Sequence, residues 1–98
     1  AHYVMVAPHN PMGPVATAVN VHFCVSTPNV AVLEYTPDDT GQRREIVQEP
    51  YVVKDGYIEL PTKPGLGIEI DETACARYPY SPWRRTNAIR PDGSIGFN

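Results

Sequence analysis

Three things are scarce in this sequence, and each scarcity removes a class of protein. No apolar run approaches the ~18–20 residues a membrane span requires, and no charged segment leads into an apolar stretch and cleavage site as in a signal peptide. Cysteine occurs only as Cys24 and Cys75, neither of them in a CxxC pair. Two such residues cannot build the multi-bridge framework of a small secreted protein, and they argue against structural zinc. Buried free thiols in a reducing cytoplasm are the expectation. Basic charge is also in deficit, with 8 Lys+Arg against 11 Asp+Glu and a net charge of −3. Nucleic-acid binders usually carry a basic footprint, so that class is set aside.

What remains is 98 residues, 42% hydrophobic and 19% charged. That composition is globular, and the length fits one small domain at most. Eleven prolines exclude a helical bundle. The chain opens at Ala1 rather than Met, so a piece of something larger is an expectation from the start.

Residues 3–7, Tyr-Val-Met-Val-Ala, form a continuous apolar run that stops at Pro8. Such runs read as fully buried strands of parallel sheets. Pro8, Pro11 and Pro14 keep the next segment irregular, and Pro14 suits the first turn of a helix. Residues 15–26 continue apolar without Gly or Pro, with Thr17, Asn20 and Cys24 on one narrow stripe. This predicts a helix over 14–26, buried on most of its circumference and ending before Pro28. Residues 30–34, Val-Ala-Val-Leu-Glu, give a second buried strand. Strand, helix and strand within about 32 residues describe one βαβ unit with parallel strands. One helix cannot cover both faces of a parallel sheet, so the unit asks for neighbours it does not contain.

Beyond Tyr35 the character changes. Thr36–Gly41 is a polar turn, Arg43–Val47 has room for one helical turn, and Asp55-Gly56 marks a hairpin within 52–60. Ile68-Glu69-Ile70 alternates like a short strand, and Asp71 is placed to cap a short helix running to Arg77. Residues 78–98 hold Pro79, Pro82, Pro91, Gly93 and Gly96 and predict an irregular tail wrapped over another surface.

His9 and Glu34 stand where the two buried strands end. Parallel strands deliver both to one C-terminal edge, where α/β sheets and barrels place their chemistry. An acid/base pair there can exchange a proton with a substrate and hold the resulting charge. Spacing alone equally allows a loop histidine and a strand-end carboxylate engaged in salt bridges. The other polar residues read more simply. His22 satisfies a core or interface contact, and His2 is terminal. Asp38-Asp39 and Asp71-Glu72 are turn and cap residues, and Trp83-Arg84-Arg85 is a tail anchor. Gly65-Leu66-Gly67 lacks the third glycine and following helix of a dinucleotide loop.

Ala7-Pro8-His9-Asn10-Pro11-Met12-Gly13-Pro14-Val15-Ala16, followed by Pro28-Asn29 and Leu33-Glu34, resembles the last two strands of the catalytic barrel in the enolase superfamily. The closer resemblance is to the mandelate racemase/muconate lactonizing subgroup and its galactonate-type acid-sugar dehydratases. Pro64-Gly65-Leu66-Gly67-Ile68-Glu69-Ile70-Asp71 resembles the segment returning to that family's N-terminal capping domain. The resemblance runs from about residue 3 to residue 77 and fades in the last twenty.

The resemblance implies an α/β fold, the C-terminal portion of a (β/α)8 barrel with an α+β cap. Residues 1–49 would be strand 7, helix 7 and strand 8 of the barrel, and 50–98 an extension packing on barrel and cap. His9 would take the proton α to the substrate carboxylate, oriented by a sixth-strand aspartate lying before Ala1. Glu34 would bind the substrate carboxylate and stabilise the enediolate, best in its protonated form. Mg2+ would be the cofactor, with its ligands and the second-strand acid outside this chain. A whole barrel takes ~250 residues, so the piece alone would be inactive. The reading that follows is the C-terminal segment of a cytoplasmic lyase converting an aldonate to a 2-keto-3-deoxy acid, as a homo-oligomer without nucleic-acid or membrane partners. The alternatives are a racemase or other hydroxy-acid enzyme of the superfamily, or a non-catalytic fragment that docks onto a partner barrel.

Overall fold

The computed structural model describes residues 3–37, 40–82 and 88–96. Helix α1, Pro14–Ser26, has proline in its first turn, as the sequence predicts. It ends at Thr27, which turns to extended backbone just before Pro28. The two apolar runs flanking α1 lie parallel through a bridge between Val6 and Val30. The Val6 N–H donates to the Asn29 carbonyl at 2.9 Å, the Ala31 N–H to Val6 at 2.8 Å, and the Glu34 N–H to Pro8 at 3.3 Å. The expected βαβ order and parallel sense are therefore present. The strands themselves are reduced to this single bridge, because neither run has a second neighbour among the described residues to complete its ladder.

The burial of α1 corrects the sequence reading. Pro14, Thr17, Ala18 and Val21 are buried on one face, whereas Val15, Val19 and Phe23 stand exposed on the other. One βαβ unit can cover only the helix face that lies on its own strands. His22 is likewise exposed, not a core residue. Both cysteines are free and half-buried.

Helix α2, Gly41–Glu45, is the predicted single turn after the polar loop. Val47 then bridges Ile70 in antiparallel sense, so the 68–70 strand shrinks to its last residue. Strands β1, Val53–Lys54, and β2, Tyr57–Ile58, form the expected hairpin. Its turn residues Asp55 and Gly56 both have positive φ, 53° and 82°, as a type I′ turn requires. Helix α3, Glu72–Ala76, is capped by Asp71, whose Oδ1 accepts the Ala74 N–H at 2.9 Å. Val47, just after α2, and Ala74 of α3 are buried. Glu45 of α2 accepts the Arg77 guanidinium at 3.0 Å and the Tyr78 hydroxyl, which ties the two helices together.

The tail is not wholly irregular. Strands β3, Ala88–Ile89, and β4, Ile95–Gly96, pair antiparallel. The Arg90-Pro91-Asp92-Gly93-Ser94 turn closes them, with Asp92 Oδ1 accepting the Ser94 N–H at 2.9 Å and its hydroxyl at 2.7 Å. Pro-Asp-Gly between two short runs is a turn signal with a mechanism, and it outweighs the proline content read from the tail as a whole. No helix among the described residues is long and apolar enough to cross a membrane.

Candidate functional site

The site sits where the two parallel runs end. The Glu34–Pro8 main-chain bond holds the runs side by side up to this edge. His9 Nδ1 and Glu34 Oε2 are 2.6 Å apart, so the pair expected from the sequence does converge. The side chains are 80% and 48% exposed, leaving the histidine ring open to a reactant.

A second donor reaches the same oxygen. The main-chain N–H of Asn10 donates to Glu34 Oε2 at 2.8 Å. This bond is the leading reason the Glu34 carboxyl is held below its ordinary value, with the His9 hydrogen bond and charge adding to it against some desolvation. Glu34 therefore favours the ionised form in this chain.

Asn10 itself is fully buried beside its exposed neighbour. Its Nδ2 donates to Thr17 Oγ1 on α1 at 3.1 Å, and the Thr17 hydroxyl donates on to the Gly13 carbonyl at 3.4 Å. Asn10 Oδ1 finds no donor among the described residues. The Thr36 hydroxyl donates to the Asn10 carbonyl at 3.4 Å, and Arg43 Nη2 of α2 to the Pro11 carbonyl at 3.2 Å. Sequence reading missed Asn10, Thr17, Thr36 and Arg43. Thr17 carries a signal as a polar residue one turn into an apolar helix, although its spacing places it on a stripe with Asn20 and Cys24.

The remaining candidates separate from this site. Asp71 is a helix cap, and Gly65 and Gly67 occupy turns at positive φ. His2, Asp38-Asp39 and Trp83-Arg84-Arg85 lie outside the described residues. Among the described residues no three His, Cys, Asp or Glu side chains cluster as a metal site. His9 and Glu34 bond to each other and supply two ligands at most, so this chain does not by itself fit a bound Mg2+.

Comparison with known proteins places the chain in a family. The family described as enolase C-terminal domain-like matches residues 1–74. The chain belongs to that family, in the mandelate racemase/muconate lactonizing subgroup of the enolase superfamily. A D-galactonate dehydratase family member of Streptomyces bingchenggensis is 37% identical over 94 residues, which cover 94% of this chain and 23% of that protein. A D-xylonate dehydratase of Haloferax volcanii is 34% identical over 70 residues, covering 71% of this chain and 17% of its own length. In three dimensions the chain is similar to an enolase of Agrobacterium radiobacter whose crystal structure holds Na and L-malate. The TM-score is 0.81 at 46% identity, over 97% of this chain and 28% of that one. It is also similar to an enolase of Pantoea ananatis with bound D-gluconate and Mg, at a TM-score of 0.69 and 36% identity over 79% of this chain and 19% of that one. The chain thus spans about a quarter or less of the relatives it matches. The chain's fold is α/β, of the enolase C-terminal domain-like type.

Proposed function

We propose that this chain forms the end of the catalytic barrel of an acid-sugar dehydratase, contributing strand 7, helix 7 and strand 8 through residues 1–49. Residues 50–98 extend from there over barrel and cap. The observation that carries the reading is the His9–Glu34 contact at the shared C-terminal edge of two parallel runs. The dehydratase names and the gluconate-bound structure among the similar proteins support an aldonate as substrate class.

With Nδ1 against a carboxylate, the neutral imidazole carries its proton on Nδ1 and its lone pair on Nε2. Nε2 takes the proton α to the substrate carboxylate, and the C–H electron pair moves into the enediolate. Expulsion of the 3-hydroxyl with a proton from an acid outside this chain yields water and an enol, which becomes the 2-keto-3-deoxy acid. Glu34, at the same edge, binds the substrate carboxylate and holds the charge of the enediolate, while an aspartate outside this chain orients the ring. The Mg2+ implied by the family would take its ligands from outside these 98 residues.

Incubating the complete enzyme with aldonates in deuterated water tests the reading. Mass spectrometry should show loss of one water and deuterium at the α-carbon of recovered substrate. Absence of both across the aldonates would end it. Epimerised substrate without water loss would instead favour a racemase.

A further inference from the structure

Glu34 owes its place to a main-chain donor, and a main-chain donor is only as well fixed as the loop that carries it. Three ties fix this loop. The Asn10 carboxamide reaches Thr17 on α1, the Thr36 hydroxyl reaches the Asn10 carbonyl, and Arg43 of α2 reaches the Pro11 carbonyl. Only the first is fully buried. The Thr17 hydroxyl meets the Gly13 carbonyl, so Asn10, Thr17 and Gly13 form one chain of bonds from loop to helix.

We propose that Asn10 is a positioning residue for the His9–Glu34 pair: its buried carboxamide, anchored on Thr17, holds the main-chain N–H that fixes Glu34 against His9. This rests on the reading of His9 as the base. Asn10 does not touch the reacting atoms. Its effect reaches them through the place and ionisation of Glu34. The charged groups on the surrounding elements are His9, in contact with Glu34, and Arg43, engaged at the Pro11 carbonyl.

The test uses the complete enzyme carrying Asn10→Ala, Thr17→Val or Thr17→Ser. Thr17→Val keeps the side-chain shape and removes the hydroxyl, which guards against an Asn10→Ala protein that does not fold. Two readouts are taken, kcat with KM on an aldonate, and the carboxylate titration of Glu34 by carbon NMR. Thr17→Val should lower kcat about 10- to 100-fold, the scale of a small misplacement at a reacting pair, with little change in KM. The Glu34 titration should move up, and Thr17→Ser should restore both.

A wild-type Glu34 titration in Thr17→Val would overturn the proposal, whether or not kcat falls, since a fall alone would show only a structural role. Failure of the parent reading looks different. There, His9→Asn would still exchange the α-proton, while the Glu34 titration would go on reporting whether Asn10 positions it.

Discussion

Asn10 and His9 are adjacent in the chain, yet they meet Glu34 at the same atom, one from the main chain at 2.8 Å and one from the ring at 2.6 Å. A carboxylate oxygen that accepts two bonds is pinned in position and in charge. The histidine ring is then held by its Nδ1 edge, with its other nitrogen left to react.

From this follows an unequal cost for the two substitutions. His9→Asn in the complete enzyme removes the group proposed to take the α-proton, and should cost about 10²–10⁴ in kcat. Exchange of that proton with deuterated solvent should be lost along with dehydration. Glu34→Gln is milder, since its amide oxygen can still accept from the Asn10 N–H. Normal dehydration by His9→Asn would contradict the mechanism even with the fold intact.

The bond network of Glu45 sets a pH dependence of stability. The Tyr78 hydroxyl first, and Arg77 second, hold the Glu45 carboxyl below its ordinary 4.5. A depressed folded value means the contribution is present above 4.5 and is lost as pH falls through the lower folded value. Tyr78 is raised above 10.0, chiefly by its bond to Glu45. Its contribution is full below 10.0 and is lost as pH rises through the folded value. Tyr78→Phe should therefore flatten both limbs of a plot of Tm against pH. An unchanged acid limb would show that the contact is absent in solution.

Gly67 gives a sharper local test. It sits at a φ of +75°, and a Cβ there would lie 2.2 Å from the Pro61 Cβ. Neither the backbone nor the rigid ring can yield easily. Gly67→Ala should destabilise by about 1–3 kcal/mol, the usual range for overpacking, read from denaturant midpoints. Gly65→Ala has open space around it and carries only the strain of its positive φ, so it should cost less.

How far the sequence could be read depended on how local each determinant is. Pro14, the unbroken apolar run and Pro28 are local, and α1 has the boundaries they predict. Asp55-Gly56 and Asp71 act over two to four residues, and the hairpin and cap are where those residues put them. The convergence of His9 and Glu34 was legible because parallel strands fix it by topology. The Asn10 to Thr17 bond and the Arg43 to Pro11 bond were not, because nothing in composition or spacing shows which polar side chain a loop will fold onto. The main-chain donor to Glu34 was hidden for the same reason, since it exists only once the loop is folded.

The exposed face of α1 tests the division of the chain as the end of a barrel. Val15, Val19 and Phe23 recur every four residues and lie away from the buried face of Ala18 and Val21. Contiguous apolar surface of this kind on a monomer marks an interface. The radius of gyration points the same way, being 17.0 Å where a compact domain of this size would have about 13 Å. The 98 residues expressed alone should therefore associate, and light scattering should return a mass well above 10.8 kDa. Val19→Lys with Phe23→Lys should reduce that association, since charges on this stripe disfavour its burial against another copy. In the complete enzyme the same pair should lower the Tm, because there the stripe would be covered and the ammonium groups would have to be desolvated. A monodisperse 98-residue monomer with cooperative unfolding would show that the chain needs no such cover, and the assignment of residues 1–49 to a larger barrel would fall.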